Sequence, residues 1–538
     1  MADHGDSGRS GRYSRRTFLA RLGVGAGAVA AGGGLSGALV SPVRAAPARS
    51  NFVATDAQHF GRIFPNLSPF APASKGVTKS LVALAAQGGL LDAQDELGAG
   101  PIALITDPAL SLNNPDNPTH TAGTTFFGQF VDHDVTFDTS STLGTPTDPL
   151  ASPNGRTPAL DLDSLYGAGP IESPALYDSS DRAKLLIESG GIFEDLPRTG
   201  DGTAIVGDPR NDETLVISGL QCAFILFHNR AVDDVRANGT STWQEAFAQA
   251  RQLTTWHYHW LVLHEFLPLI VGQALVDDVL ANGRRFYTVG PGQAFMPVEF
   301  QGASYRFGHS MVRPSYRANL KGDGGNPFFG FIFDPGQNGV SSDPDDLRGG
   351  FRAARRFIGW QTFFDFGIDA GTGKAEVKHN KLIDTRLSTP LFTLPLGAIA
   401  SHDPPTVLPQ RTLLRHLTWS LPSGQAIAQA MGVTPVDKQD LKELKPYGFD
   451  KSTPLWYYAL KEAELHGDGG QHLGPAAGRI VAEVLIGLLQ TDPNGFLVRQ
   501  PGWQPTLQHP GPGFRMTDFL TYAGVDPTSR HAAQPAYA

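Results

Sequence analysis

The segment FFGQFVDHDVTFD, Phe126 to Asp138, limits what this chain can fold into more than any other. It is apolar and rich in Phe, which assigns it to a core. Yet Asp132, His133 and Asp134 sit in its middle, with Gln129 one helical turn before His133. Burying two carboxylates and an imidazole costs several kcal/mol unless each finds a partner. On a helix, at about 100° per residue, Gln129, Asp132 and His133 fall within roughly a 100° arc, and Asp134 points about 100° further round. The fold must therefore supply two different partners, one for each direction.

The rest of the chain bounds those partners. It has 538 residues, 41% apolar and 18% charged, which makes it globular and large enough for a sizeable core. Gly (62) and Pro (41) are frequent enough to imply many loops between elements. The formal net charge is -9 and no Lys/Arg run occurs, which argues against a nucleic-acid partner. The single cysteine, Cys222, allows no intramolecular disulfide and lies in an apolar run, Ile217 to Phe227, as a packed core residue.

Residues 1–46 read as an export signal. Ser14-Arg15-Arg16-Thr17-Phe18-Leu19 precedes a mildly apolar Gly/Ala run and the small residues Val43 to Ala48. This resembles a twin-arginine signal cleaved near Ala45 to Ala48. It implies a periplasmic or extracellular destination and no stable membrane insertion after cleavage. The segment carries six Arg and two Asp, so the remainder holds 37 positive and 50 negative side chains and is acidic.

Residues 47–114 read as a loop-rich arm, 115–500 as one domain and 501–538 as a C-terminal extension. Apolar periodicity predicts helices over Thr119–Thr136, Glu213–Arg236, Trp243–Gln273, Leu347–Phe364 and Ala476–Leu489. Pro268 should bend or break the third near Leu267. Residues 139–157 are loop, strand signals are short and few, and the fold class is mainly α with long loops.

The partner of Asp134 is the easier one to read. Thr157, Asp161 and Asp163 alternate oxygen donors with a carbonyl between them. A hard cation takes six to eight oxygens at about 2.3–2.6 Å, and Asp134 would add another carboxylate. Spacing alone leaves a solvated acidic loop as the alternative.

Five motifs then occur in order: FFGQFVDHD, TPALDLDSLYG, GDPRNDE (Gly207–Glu213), FHNR (Phe227–Arg230) and YRFGHS (Tyr305–Ser310). Together they resemble the animal-type haem peroxidase superfamily in its bacterial, secreted branch, over about residues 115–500. The resemblance implies a helical fold holding haem b between a distal and a proximal helix, with Ca2+ beside the distal one. His133 falls on the distal histidine, Gln129 on its neighbour, Arg210 on the distal arginine and His309 on the proximal iron ligand. Asp132 and Glu213 fall where mammalian members form ester links to haem, and Arg306 is counted with the haem-binding residues. Asp134, Thr157, the Ala159 carbonyl, Asp161 and Asp163 match the calcium ligands. His228 and His264 read as packing residues.

Such a chain would react with hydrogen peroxide and oxidise halide, thiocyanate or a small organic donor; oligomeric state stays open. Two departures stand out. The asparagine that bonds the proximal histidine in the family is Thr412 here, which implies a weaker or water-bridged bond. Thr214 replaces the methionine that makes a third haem link in some mammalian members, so that link is excluded. Two other functions remain in view. A haem fatty-acid dioxygenase needs a radical tyrosine three residues before the proximal histidine; Arg306 stands there, and Tyr305 lies four before. A secreted adhesion or matrix protein would carry Arg-Gly-Asp, repeats or an added module, and none is evident.

Overall fold

The computed structural model describes residues 59–138, 140–336, 341, 343–350, 353–367 and 376–533, without the side chains of 531–533. The twin-arginine segment lies outside the described residues. The described residues form one compact unit. The fold is mainly helical; among the described residues, strands occur only in two-stranded ladders.

The helices that build the site are α1 (Lys75–Leu84), α2 (Gly123–Val135), α3 (Leu215–Ala237), α4 (Trp243–Leu261), α5 (Leu408–Thr418), α6 (Leu455–His466), α7 (Pro475–Thr491) and α8 (Met516–Tyr522). Ser74, Thr214 and Thr242 cap α1, α3 and α4, each accepting a backbone N–H of the first turn. Helix α2 carries the opening segment and is buried along its whole length except at Gln129. Phe130 stacks on Phe224 of α3 at 4.3 Å between ring centroids. Phe127 meets Tyr258 of α4 and Phe266 edge-on. A β-carbon at Gly128 would lie 2.9 Å from the Phe266 ring, so only glycine lets the two approach so closely. Helix α3 is long and apolar enough to cross a membrane, but most of it is buried inside the molecule as a core element.

The segments outside 115–500 share this core. Phe60 is fully buried and its backbone pairs with Met296, while Leu81 and Leu84 of α1 are also buried. At the other end, Phe519 of α8 stacks on Phe227 of α3 at 4.0 Å.

Three expected helices differ from those observed. Residues 119–121 belong to a strand, Asp116–Thr121, paired with His379–Lys381, and α2 starts only at Gly123. The expected Trp243–Gln273 helix changes pitch before its proline. Val262–Phe266 form a wide π turn, and Pro268 sits in the first turn of the next segment, Leu267–Val271, where its missing N–H costs nothing.

The expected helix over Leu347–Phe364 is absent among the described residues, apart from one 3₁₀ turn at Trp360–Thr362. Leu347 instead exchanges backbone bonds with Phe331 and Leu215. Gly350 takes φ 102°, and the Arg356 guanidinium gathers the carbonyls of Pro344, Asp346 and Arg348. Its apolar residues reach the core from irregular backbone, so the 3.6-residue pattern misled.

Candidate active site

A cavity of about 480 Å³ opens beside α2. Gln129, Asp132 and His133 of α2 line it with Arg210 and Glu213 of the GDPRNDE loop. Tyr305, Arg306, His309, Thr412, Arg411 and Arg415 line it too. The structure thus gathers round one space the residues that the sequence scattered over some two hundred and eighty positions, roughly half of a globular chain this long. His228 and His264 do not line it. His228 bonds Tyr166 and the Ala183 carbonyl, and His264 stacks on Trp260.

His133 is held by its ring and its backbone. Its Nδ1 lies 2.8 Å from Asn211 Oδ1, and its carbonyl accepts from Arg210 Nη2 at 3.1 Å. Burial, aided by the nearby Arg210 charge, pulls the His133 pKa down to about 4, so the ring is neutral at pH 7. Arg210 is clamped in turn. Its Nε and Nη2 donate to the two oxygens of Asp208 at 3.0 and 2.8 Å, its Nη2 also reaches the Thr136 carbonyl, and Phe137 lies under its plane. These carbonyls end α2, so the guanidinium also caps that helix.

Charge in this cluster closes on itself. Burial would raise the Asp132 carboxyl, but Arg306 at 3.3 Å and Arg210 at 3.9 Å outweigh it and hold it below the usual range. Asp208 is likewise held low against burial by Arg210 and Arg156. Glu213 is the exception: burial lifts its pKa to about 8, only partly offset by Arg210, and Gln129 donates to it at 3.2 Å.

His309 sits at the start of a short helical turn, Gly308–Met311. Burial, then Arg306, lowers its pKa to about 3, so the ring is neutral at pH 7. Thr412 Oγ1 lies 3.3 Å from His309 Nδ1 and 3.3 Å from the Leu408 carbonyl. A hydroxyl has one proton; given to Leu408, it leaves the oxygen to accept Nδ1–H, and Nε2 is then the nitrogen free to bind a metal. The contact is direct and long.

These residues fit a haem. A neutral histidine with a bare nitrogen, an apolar wall that includes Met311, Val312 and Leu391, and the cations Arg306, Arg411 and Arg415 suit an iron porphyrin with two carboxylates. Arg415 and Arg411 escaped the sequence reading. Their signal was spacing: on α5 they flank Thr412, one turn from each other.

On the other side of α2, Asp134, Asp161 and Asp163 bring carboxylate oxygens within 4.8 Å of one another. Leu162 between them takes φ 58°, a left-handed turn unusual for leucine, and its N–H donates to Asp134 at 3.2 Å. Thr157 donates to Asp163 through its backbone and hydroxyl; Ala159 lies between Thr157 and Asp161. Burial and mutual repulsion raise Asp134 well above the usual range and Asp161 to about 7. Burial also raises Asp163, with Arg156 only partly opposing. Three carboxylates so placed fit a hard divalent cation. Arg156 joins the clusters: its Nε donates to Asp208 at 2.8 Å and its Nη1 to Asp163 at 3.4 Å. A β-carbon at Gly207 would lie 2.4 Å from the Ser164 carbonyl, so glycine is what lets the two motifs touch.

Comparison with known proteins comes after this geometry. Residues 143–327 match the family model described as animal haem peroxidase, a span that holds Arg210, Glu213, Arg306 and His309 but not α2. No curated protein matches. Among solved structures, peroxidase A from Dictyostelium discoideum is 16% identical, with a TM-score of 0.54 over 82% of this chain and 89% of that one. The fatty acid alpha-dioxygenase of Arabidopsis thaliana is 16% identical, with a TM-score of 0.55 over 82% and 74%. That of Oryza sativa is 14% identical, with a TM-score of 0.55 over 89% and 81%. At such identities the likeness is one of fold.

Proposed function

We propose that this chain, which matches the animal haem peroxidase family over residues 143–327 and shares its fold with a peroxidase, is itself a peroxidase. It reduces hydrogen peroxide and oxidises halide, thiocyanate or a small organic donor. One observation carries the reading: a neutral imidazole at 133 and a clamped guanidinium at 210 share a cavity with a second neutral imidazole at 309.

Haem, when bound, supplies two-electron redox chemistry at its iron. The protein does the rest. His309 Nε2 binds the iron, and Arg306, Arg411 and Arg415 pair with the carboxylates. His133 Nε2 takes a proton from hydrogen peroxide and returns it to the departing oxygen. Arg210 cannot lose its charge and, fixed by Asp208, needs no reorganisation to stabilise the negative charge that develops there. Asp132 and Glu213 are the carboxyls available for ester links. Asp134, Thr157, Ala159, Asp161 and Asp163 hold Ca2+, which neutralises the cluster behind His133. Export by the twin-arginine route completes the proposal.

A second reading has an observation of its own. Tyr305 lines the cavity, is buried and donates to the Gly128 carbonyl at 3.1 Å, so a phenol stands near the redox centre even though it is displaced by one residue. The purified protein should show a Soret band that changes on adding peroxide and returns with a donor. Oxygenated product from linoleate and oxygen without added peroxide, lost in Tyr305→Phe, would overturn the peroxidase reading in favour of a dioxygenase.

A further inference from the structure

Resting on the reading of His133 as the proton carrier, we propose that Asn211 and Gln221 are positioning residues that hold the His133 ring as its Nδ1–H tautomer, leaving Nε2 bare.

The argument is one of hydrogen-bond direction. Asn211 Nδ2 donates to Gln221 Oε1 at 2.8 Å, and Asn211 Oδ1 faces His133 Nδ1. An amide oxygen only accepts, so the proton of that 2.8 Å contact belongs to His133 Nδ1. Histidine in water favours the opposite, Nε2–H form, which could not accept a proton from peroxide. The protein must therefore reverse the intrinsic preference, and this pair is the means.

All three side chains are buried, with exposures of 4% for His133, 0% for Asn211 and 1% for Gln221, so water does not compete. The placement is economical in sequence. Asn211 follows Arg210 in the turn Pro209–Asp212, so one turn grips the backbone carbonyl of His133 with a guanidinium and its ring with an amide. Gln221 comes from α3, whose buried start anchors the amide from behind.

The test uses full-length protein labelled with 15N-histidine, the His133 signal assigned by its loss in His133→Gln. Long-range proton–nitrogen correlation should show a protonated Nδ1 and a bare Nε2. Asn211→Leu, nearly isosteric but without an acceptor, should lose that pattern. Its second-order rate with peroxide should fall about a hundredfold, at the low end of what a positioned acid–base contributes. Its turnover at saturating peroxide, limited by the donor, should change little. Asn211→Asp, which keeps an acceptor, should keep the tautomer and most of the peroxide rate. Gln221→Leu should show a mixture of tautomers and an intermediate rate. An Nε2–H tautomer in the wild type, or an unchanged tautomer in Asn211→Leu, overturns the inference. The expected tautomer pattern in a protein inert to peroxide upholds the assignment and overturns the peroxidase reading alone.

Discussion

Two buried polar clusters lie on different sides of one helix, and they balance their charge in opposite ways. Towards the cavity, Asp132 and Asp208 face Arg210, Arg306 and Arg156, and both carboxyls are held low despite burial. Behind it, Asp134, Asp161 and Asp163 face chiefly one another, and all three are raised. The first cluster is complete within the chain. The second gathers carboxylates with too few cations to balance them in a low-dielectric place, an arrangement that suits a cation from outside. Among the described residues, Arg156 is the single guanidinium bonded to carboxylates of both. Adjacent residues of one helix can thus serve chemistry and scaffolding separately.

The largest effect should come from the cavity side. His133→Leu removes the proton carrier without leaving an unpaired charge, and the rate with peroxide should fall about 10²–10⁴-fold while haem content holds. Stopped-flow absorbance measures it, and a loss of less than about fivefold would show the cavity cluster to be structural only.

Removing the shared guanidinium comes next. Arg156→Met leaves Asp208 with one guanidinium and Asp163 with only its Thr157 hydrogen bonds, and breaking such a buried pair costs about 3–5 kcal/mol. Denaturant unfolding should show that loss, recovered in part by Ca2+. An effect that calcium does not touch would separate the two clusters.

Chelation probes the rear cluster alone. At a free Ca2+ concentration a hundred times the dissociation constant, the ion should add about 2.7 kcal/mol of stability. The pH dependence has a definite sign. Folded-state pKa values above the unfolded ones, about 7 for Asp161 and raised also for Asp134 and Asp163, mean that without cation this cluster's contribution to stability is greatest in acid. It should be lost as pH rises from about 4 to about 7. Saturating Ca2+ should abolish that slope, and Asp134→Asn should reduce it. A slope indifferent to Ca2+ would mean that the carboxylates bind no ion.

The smallest effect is on the proximal side. Thr412→Val removes the 3.3 Å contact to His309 Nδ1, a bond worth about 1 kcal/mol at most. The haem reduction potential should shift slightly upward, and Thr412→Asn, with its longer reach, should shift it the other way. Equal potentials in all three would show that the contact carries no energy.

Much of this molecule follows from the order of its residues. Helical periodicity placed α2, α3, α4 and α7, since a buried helix needs an apolar surface and its spacing records one. The same arithmetic set Asp134 apart from Gln129, Asp132 and His133, because the angle between side chains on a helix depends only on their separation. Where backbone is irregular, that arithmetic fails. Leu347, Phe357, Ile358, Trp360, Phe363 and Phe364 are buried from loops in which Leu347 bonds Phe331 and the distant Leu215. Asn211, Gln221 and Arg156 were silent for the same reason. An amide or a guanidinium has no meaning until folding sets something within 3 Å of it, and that distance is a property of tertiary structure.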